Sequence, residues 1–495
     1  MKWLPWIVFA VFGFYLVGNN FNAKLGMIDD HEIAMFLGSD GKVSVDEFPK
    51  EILKTEIGQW GSYLRYRPSY YTLRVLETAL WRDDARLWYL SRYLMLVVSM
   101  VLGYQIMIMY FPQIVSYLFI FYIMTMPFWP DMLTRLGPSE MYALPAVLLF
   151  VYGLIKNKLW MITVGYLICV GSKENFLILL PILLGWAGYK AYTKKLSRNE
   201  LYMTVALSLY TFYIVGAILV ATLSAGADIY GTQISYRYRI TRFVWDIPKI
   251  VMSRHMLPAL AIMLAGMMVS VRVLKSDKIA KLVGLMLILL TTIVSQYIFY
   301  VNLLPSNTRY DFPALLLFPI LDLIAIKILI VYFAKYKYGQ IFKMVLYGTI
   351  IIICSTYVIK RGYTLILTQA KKNVSITQNF ETQLLKATRA AHSNPEASIV
   401  FVSQRYIDFE PIVSVSRYLT AKKVINTFSV YYDPILKGVD PMELDDRLSQ
   451  VMKGELGNDH IFDRFSAFRE DQKPCYSITF GDALPLSHCP HIAKF

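Results

Sequence analysis

Long apolar segments dominate this sequence of 495 residues. They measure about twenty residues each and are separated by short charged loops, and this is the length that an α-helix needs to cross a bilayer. Hydrophobic residues make up 56% of the chain and charged residues 17%, against roughly 45–50% and 25% in an ordinary soluble protein. The composition therefore excludes a purely soluble protein and predicts a polytopic α-helical membrane protein. We expect about eleven spans, at residues 3–21, 91–111, 113–129, 141–155, 159–172, 175–190, 201–223, 256–273, 281–301, 312–334 and 343–359.

The charges of the loops predict how these spans are oriented. Lys and Arg number 50 and Asp and Glu number 35, a net charge of +15 that would suggest a nucleic-acid partner in a soluble protein. Here the surplus collects in alternate short loops, which the positive-inside rule places in the cytoplasm, and no nucleic-acid partner is expected. These loops carry Lys156 and Lys158, Lys190 to Arg198, Arg272 to Lys281, and Lys335 to Lys343. The rule predicts a cytoplasmic N-terminus, anchored by an uncleaved first span, and an extracytoplasmic C-terminal segment.

The C-terminal residues 361–495 lack long apolar runs and are typical of a small extracytoplasmic α/β domain. Residues 398–403, 423–430 and 475–480 have strand character, whereas 376–391, 409–421 and 441–453 have helical spacing. Cys475 and Cys489 are predicted to form a disulfide, because the charge pattern places them in an oxidising compartment. Gly481 and Pro485 lie between them, and we expect this stretch to bend a strand back on itself.

Four titratable residues in a row follow the first apolar run, in the sequence GMIDDHEIAMFLG. Asp29, Asp30, His31 and Glu32 stand directly at the predicted exit from the membrane. Helix capping explains one Asp at such a position, since the backbone N–H groups and the helix dipole favour an acid there. Capping needs only one acid, so the motif predicts a functional site.

The rest of the first external loop, residues 22–90, is predicted to carry amphipathic helices. The stretch LRYRPSYYTLRVLETALWRDD contains Arg65 and Arg67 and has Pro68 at a position suited to the first turn of a helix. Its apolar side is formed by Leu73, Leu76, Ala79 and Leu80. This spacing is typical of a helix that lies on the membrane surface.

Two cations on the predicted outer face oppose the positive-inside rule, which indicates a role in function rather than in topology. Lys173 and its neighbour Glu174 occupy a loop of about four residues. Arg309 and Tyr310 stand in SNTRYDFP, at the entrance to an apolar run. For both cations the alternative interpretation is a snorkelling anchor at the interface.

Two further external segments carry unusual charges. In the second external loop, Asp131 and Arg135 have the i, i+4 spacing of an ion pair, for which a structural role and a substrate role are both open. Glu140, just before a span, is a candidate second acid. The segment YRYRITR interleaves cations with tyrosines, a pattern that suits an anionic lipid headgroup or a stacked sugar, and its cations are Arg237, Arg239 and Arg242.

Four stretches resemble bacterial members of the C-type (GT-C) glycosyltransferases, membrane enzymes that use polyprenyl-phosphate sugars. They are RYRPSYYTLRVLETALW, DMLTRLGPSEMYALP, GSKENFLILLP and TRYDFPALL. The resemblance covers residues 1–335 and depends on the order of the motifs, on their common outer face and on the acidic motif after the first span. It implies a GT-C-like transmembrane domain over residues 1–360, with Asp29 or Asp30 as the catalytic base. The second acid of the pair would bind the acceptor, raise the pKa of the base, or hold a divalent cation such as Mg or Mn; no cofactor is otherwise expected.

The chemistry of such a reaction needs few groups. A sugar on a lipid phosphate already has a good leaving group, so the enzyme must deprotonate an acceptor hydroxyl, stabilise the departing phosphate and hold both in line. Lys173, Arg309 and Tyr310 are expected to bind the donor phosphate. The expected supporting residues are His31, Glu32, Arg65, Arg67, Asp131, Arg135, Glu140, Glu174, Arg237, Arg239 and Arg242.

The resemblance also suggests partners and a location. We expect a polyprenyl-phosphate sugar donor, a glycan, glycolipid or lipopolysaccharide acceptor, surrounding membrane lipids and a bacterial inner membrane. A lipid or sugar transporter, or flippase, is the main alternative, because that class carries ionisable residues in mid-membrane. Only Asp322 and Lys327 fit that description, and we expect them to pair with each other. A non-catalytic scaffold would leave the acidic motif without a purpose.

Overall fold

The computed structural model describes residues 3–62, 65–225, 257–271, 308–403, 409–432, 461–469, 474–480 and 489–495, with scattered positions within 241–248 and 284–294. Within these residues the protein is mostly helical. The N-terminal helices are α1 (Leu4–Val17), α2 (His31–Leu37), α3 (Phe48–Leu53), α4 (Pro68–Trp81), α5 (Ala85–Met107), α6 (Gln113–Ile123), α7 (Trp129–Leu133) and α8 (Glu140–Lys156). The remaining helices are α9 (Leu159–Val170), α10 (Leu179–Tyr192), α11 (Arg198–Ala225), α12 (Leu257–Val271), α13 (Ala314–Phe333), α14 (Gly339–Arg361), α15 (Thr364–Ser393) and α16 (Phe409–Ala421).

Several helices are long and apolar enough to cross a membrane, which supports the predicted class. Among the described residues they number five: Leu4–Asn22, Ala85–Met107, Arg198–Ala221, Ala314–Phe333 and Gly339–Ser393. The eleven predicted spans are not shown. Some runs form helices that are shorter than expected, because proline interrupts them, as between α6 and α7, or because the first turns are 3-10, as at Glu174–Ile178 before α10. The run 281–301 lies largely outside the described residues.

Close packing between helices depends on small residues at a few contacts. A side chain at Gly165 in α9 would approach the Ala146 carbonyl oxygen and the Phe150 nitrogen of α8 to 2.6 Å. On α12, a Cβ at Gly266 would lie 2.8 Å from the Cβ of Ala325 in α13. Such contacts are typical of helices packed in a membrane, where small residues let two backbones approach closely.

The ionisable residues in the middle of α13 do not pair with each other, so that prediction is wrong. Lys327 Nζ donates to the carbonyl oxygen of Tyr110 at 2.9 Å. Oδ1 of Asp322 is buried and has no hydrogen-bond partner among the described residues. The reason is geometric, because a separation of five residues places two side chains about 140° apart around a helix.

Helix α4 is amphipathic as predicted, but its polar side is the buried one. Leu76 and Leu80 on its apolar side are 43% and 58% exposed. Arg74 and Glu77 on the opposite side are buried. A helix that turns its leucines outward and its charges inward suits an apolar surrounding such as lipid.

The C-terminal residues form a four-stranded parallel sheet with the order β2-β1-β3-β4. The strands are β1 (Ser398–Ser403), β2 (Phe428–Tyr432), β3 (Cys475–Thr479) and β4 (His491–Lys494). Helix α16 connects β1 to β2 and packs on the apolar face of the sheet together with α15, through Phe401, Ile412 and Phe380. The small C-terminal sheet region therefore exists as predicted.

Details of this region differ from the prediction. Strand β4 was not expected, and it runs parallel to β3, so the chain between Cys475 and Cys489 does not bend the strand back into an antiparallel pair. The structure contains the predicted disulfide between these cysteines, whose Cα atoms lie 5.2 Å apart. The predicted helix 376–391 is the second half of α15, and the predicted helix 441–453 lies outside the described residues. The division at residue 360 stays a prediction.

Candidate functional site

The two aspartates of the acidic motif lie between a 3-10 turn at Gly18–Asn22 and helix α2. Asp29 has a φ of 68°, in the left-handed region that Asp tolerates better than most residues. Asp30 stands at the N-cap position of α2, but its side chain makes no cap hydrogen bond. Its Oδ2 accepts instead from the backbone N–H of Gly26 at 2.7 Å, so helix capping does not account for the pair.

The two carboxylates have different environments. The side chain of Asp29 is 33% exposed, whereas that of Asp30 is 5% exposed. Burial opposes the ionisation of Asp29, but the guanidinium groups of Arg135 and Arg309 outweigh it and hold its pKa below the usual value. Burial raises the pKa of Asp30 to about 6, although Arg74 and the Gly26 N–H favour its charged form. Asp29 is therefore the more accessible acid of the pair and the one with the lower pKa.

Asp29 begins a series of ion pairs that extends across the site. Its Oδ2 accepts from Arg135 at 2.7 Å. Arg135 also contacts Asp131 at 3.4 Å, which confirms the predicted i, i+4 pair. Asp131 in turn contacts the guanidinium of Arg309 at 3.4 Å and accepts from the Arg309 backbone N–H at 3.2 Å.

The series continues from Arg309 into the interior. Nε of Arg309 lies 4.0 Å from Glu140, and Glu140 accepts a short hydrogen bond from Lys173. The ring of Tyr310 lies under both cations, with its centroid 4.5 Å from Lys173 Nζ and 5.0 Å from the Arg309 guanidinium carbon. Burial lowers the pKa of Lys173, and Glu140 offsets only part of this effect. We call these residues the ion-pair chain; its members are Asp29, Arg135, Asp131, Arg309, Glu140 and Lys173.

The acidic motif is contacted from the protein interior by an arginine that its sequence pattern did not single out. Arg74 of α4 is fully buried and donates to the carbonyl oxygens of Leu136 at 3.0 Å and Asp29 at 3.3 Å. Its guanidinium also contacts the carboxylates of Asp30 and Glu32, each at 3.5 Å. One buried cation thus serves the backbone and side chains of the motif together.

A second buried group supports the same loop from the other side. Arg92 of α5 pairs with Glu77 at 2.9 Å, donates to the Tyr142 hydroxyl at 2.8 Å and reaches the Leu136 carbonyl at 3.3 Å. Both Tyr142 and Ser91 donate short hydrogen bonds to Glu77. The carbonyl of Leu136 therefore receives two arginines, which fixes the residues just before Gly137.

Gly137 is the point where this loop meets the acidic motif. A Cβ at Gly137 would lie 2.1 Å from Cβ of Asp29 and 2.5 Å from its Oδ2. No real side chain fits such distances. Only glycine at this position allows Asp29 its present place.

The loop that carries Arg309 is tethered to the loop that carries Lys173. The side-chain amide of Asn175 donates to the carbonyl oxygen of Phe312 at 2.9 Å. Phe312 also packs on Phe176, with ring centroids 5.8 Å apart. Asn175 was not singled out from the sequence, although it stands within the GSKENF motif.

His31 and Glu32, the other two titratable residues of the acidic motif, are not members of the ion-pair chain. Glu32 accepts from the Tyr70 hydroxyl at 2.8 Å. Burial and the nearby Arg417 lower the pKa of His31 to about 3, so this imidazole is neutral. These two residues lie next to the aspartates in the first turn of α2, and their supporting role stays a prediction.

The basic pair before α4 belongs to a neighbouring cluster. Arg67 pairs with Glu56 at 2.8 Å and lies over the ring of Tyr70 at 5.3 Å. Burial opposes the ionisation of Glu174, but the nearby cations Arg65 and Lys173 hold the pKa of this carboxyl below its usual value. In the YRYRITR segment, Arg242 is exposed, and Arg237 and Arg239 lie outside the described residues.

The described residues contain no group of three or more His, Cys, Asp or Glu side chains that could hold a metal ion. The carboxylates of Asp29 and Asp30 are directed to different partners, Arg135 and Gly26. Each carboxylate therefore has its own protein partner, and a divalent cation held by the pair stays a prediction.

No protein-family model matches the chain, and no curated protein or solved structure matches it either. The interpretation of the site therefore depends on its own geometry and chemistry.

Proposed function

We propose that this protein is a membrane glycosyltransferase of the C type, which transfers a sugar from a polyprenyl-phosphate donor to a hydroxyl of a surface glycan or glycolipid. The single observation that carries the proposal is the ion-pair chain. It joins a partly exposed, ionised carboxylate to cations that can receive a phosphate, within a protein whose apolar helices suit a membrane. A general base and an anion site are the two parts that this transfer needs.

In the proposed reaction Asp29 is the general base. Its carboxylate accepts the proton of the acceptor hydroxyl while the hydroxyl oxygen forms a bond to the anomeric carbon of the sugar. The bond between that carbon and the phosphate oxygen breaks, and the electron pair leaves with the polyprenyl phosphate. Asp30 is too buried to meet an acceptor, so its part is to hold the loop through Gly26 and Arg74.

The departing phosphate is proposed to bind at Arg309. Its side chain is 16% exposed, and its contacts with Asp131 are long at 3.4 Å. A phosphate oxygen makes shorter charge-assisted hydrogen bonds of about 2.7–2.9 Å with a guanidinium, so it competes well for such a group. Lys173 and Tyr310 support Arg309 from the interior, where Lys173 is already paired with Glu140.

The proposed setting is a bacterial inner membrane, with the N-terminus in the cytoplasm and the C-terminal sheet in the periplasm. Helix α4 supports a site at the membrane surface, since its exposed leucines suit lipid while its buried charges reach the acidic motif. A lipid-linked donor would diffuse to such a site within the bilayer. The cations of residues 237–242 would suit an anionic acceptor such as lipopolysaccharide.

The test compares three aspartate-to-asparagine variants of the full-length purified protein. The assay measures transfer of labelled sugar from a panel of polyprenyl-phosphate pentoses and hexoses to membrane glycolipids. We expect Asp29→Asn to lose activity on the order of 10²-fold or more, because an amide cannot accept the proton. Asp83→Asn, at an exposed site in the loop after α4, is the matched control and should be unaffected. Full transfer by folded Asp29→Asn protein would refute the assignment of the base.

Asp30→Asn separates the two aspartates. An asparagine there keeps an oxygen for the Gly26 N–H but loses the charge that faces Arg74. We expect a smaller loss of turnover than in Asp29→Asn. The opposite order of the two variants would assign the base to Asp30.

A further inference from the structure

The C-terminal sheet region contacts the acidic motif directly, through one face of helix α16. The hydroxyl of Tyr418 donates to the carbonyl oxygen of Gly26 at 2.8 Å. One turn earlier, the hydroxyl of Ser414 donates a short hydrogen bond to the carbonyl oxygen of Met27. These contacts join residues that are almost 400 positions apart, two and three residues before Asp29.

Helix α15 holds the chain just before these contacts. The backbone N–H of Lys24 donates to Oγ1 of Thr377 at 2.9 Å, and the Gln378 amide donates to the carbonyl oxygen of Asn22 at 3.1 Å. Lys24 also pairs with Glu381 at 3.2 Å. The approach to the acidic motif is thus bound along its length to α15 and α16.

Helix α2, which follows the motif, is shared between two cores. Ala34 packs with the core beneath the C-terminal sheet. Ile33 and Leu37 pack instead with Trp88, Tyr89 and Leu136 among the membrane helices. A displacement of the C-terminal region would therefore move α2 and the aspartates at its N-terminus.

The aspartates need such support because their geometry is demanding. Asp29 is held with a left-handed φ of 68°, a conformation that a residue other than glycine keeps only when its surroundings impose it. The Gly26 residue that accepts from Tyr418 also donates its N–H to Asp30. A single peptide segment thus transmits the position of α16 to both carboxylates.

We propose that helix α16 of the C-terminal sheet region positions the acidic motif, with Tyr418 and Ser414 as positioning residues for Asp29. The two hydroxyls fix the backbone at Gly26 and Met27, and this places the Asp29 carboxylate against Arg135. The catalytic consequence rests on the proposed function, whereas the structural one does not. The C-terminal region is then a working part of the site rather than an appended binding module.

Hydrogen–deuterium exchange of the full-length protein tests the structural part without any substrate. The variants are Ser414→Ala and Tyr418→Phe, and the second keeps the ring that packs on Phe380 at 5.3 Å. We expect amides of residues 24–37 to exchange about fivefold faster for each lost hydrogen bond, while amides of β1 keep their protection.

Ser416→Ala is the matched control. Ser416 is equally buried in the same helix, but its hydroxyl donates to the carbonyl of Val413 within α16 at 2.9 Å. Unchanged exchange in residues 24–37 of both variants would overturn the proposal, and so would an equal increase in Ser416→Ala. Loss of protection in β1 of Ser414→Ala would mean that the sheet itself is disturbed in that variant. The exchange of residues 24–37 in Tyr418→Phe would then decide the proposal by the same criteria.

Kinetics test the catalytic part. Tyr418→Phe should lower kcat by about tenfold or more, as expected for a displaced base, with little change in KM for the donor. It should also move the acid limb of the kcat profile to higher pH, because Asp29 would lose its contact with Arg135. Among the described residues, the charged and titratable groups that face Asp29 include Arg135, Arg309, Arg74, His31, Asp30, Glu32 and Tyr70.

The two arms fail in different ways. If Tyr418→Phe only reduced the fraction of folded protein, kcat would fall but the acid limb of its pH profile would not move. An unmoved acid limb in folded Tyr418→Phe protein would therefore overturn the catalytic part. If the wild-type protein transfers no sugar, the proposed function fails, while the exchange result still judges the positioning of residues 24–37.

Discussion

Replacement of Gly137 by alanine tests the proposed base without altering any charged group. The added Cβ would lie 2.1 Å from Cβ of Asp29 and 2.5 Å from its Oδ2. Ordinary contact between carbon atoms needs about 3.5 Å, so the two residues must move apart by more than about 1 Å. The Asp29–Arg135 hydrogen bond, now 2.7 Å, would lengthen to about 4 Å if Asp29 takes up the movement, and it would then be lost.

The expected result is a large loss of turnover in a protein that still folds. A misplacement of about 1 Å reduces rates on the order of 10²-fold, whereas overpacking at one position destabilises a fold by about 1–3 kcal/mol. The measurement pairs the sugar-transfer rate with thermal unfolding in detergent. Gly188→Ala on α10 is the control, because a Cβ there has nothing within 4 Å; it should leave the transfer rate unchanged and should not lower the unfolding temperature.

Gly137→Ala protein with a transfer rate within about threefold of wild type would refute the reasoning. Turnover would then not depend on the position of Asp29, and the base would lie elsewhere. A variant that fails to fold would show a collapsed melting transition, and Asp29→Asn would then judge the base, since it adds no volume.

Two further outcomes follow from the charges of the site. Arg309→Ala should raise KM for the donor much more than KM for the acceptor, with Arg309→Lys in between, because a lysine keeps the positive charge but loses the two-pronged hydrogen bonding of a guanidinium to phosphate. Equal effects on both substrates in steady-state kinetics would return Arg309 to the interpretation as an interfacial anchor. Because burial raises the pKa of Asp30 from 3.8 to about 6, the folded state binds a proton that the unfolded state releases between these values, and the contribution of Asp30 to stability should fall as pH rises from about 4 to about 6. The lowered pKa values of His31 and Asp29 act in the opposite direction, so the measurement compares two proteins: in thermal unfolding at pH 4 and pH 7, wild type should lose stability relative to Asp30→Asn, and an equal pH response of the two proteins would contradict this.

Charge placement made much of the site predictable from the sequence. On the predicted topology, Lys173 and Arg309 lie on the face where the positive-inside rule expects few cations, and in the structure both contact Glu140. The four titratable residues after the first span have no single structural explanation, and the two aspartates indeed take different partners. Residues that violate a general rule carried the most information.

The buried arginines were missed because an amphipathic pattern does not say which face is buried. In a soluble protein the leucine side of α4 would face the core and Arg74 would face water. Here the leucines are outward and Arg74 is inward, since an apolar surrounding reverses the preference of each face. The i, i+3 spacing of Arg74 and Glu77 beside tyrosines was the available signal.

Other features have no local signal at all. The contacts of Ser414 and Tyr418 with Met27 and Gly26 join distant parts of the chain, so neither end shows a pattern. Strand β4 has only four residues, which is too short to show a reliable alternation of apolar and polar residues, and it directly follows Pro490. Hydropathy measures apolar runs, whereas proline and 3-10 turns decide how much of each run is one helix, so several of the described runs form helices that are shorter than predicted.

The ion-pair chain has a charge balance that suits the proposed transfer. Its three cations, Lys173, Arg309 and Arg135, are matched by the three acids Glu140, Asp131 and Asp29. A donor phosphodiester carries one negative charge, and the departing polyprenyl phosphate carries close to two at neutral pH, so the leaving group adds about one charge to the site. Protonation of Asp29 by the acceptor hydroxyl removes one negative charge at the same time and releases Arg135 from its only contact shorter than 3 Å among the described residues. Deprotonation of the acceptor and stabilisation of the leaving group would thus be coupled, because the base and the phosphate site belong to one chain of paired charges.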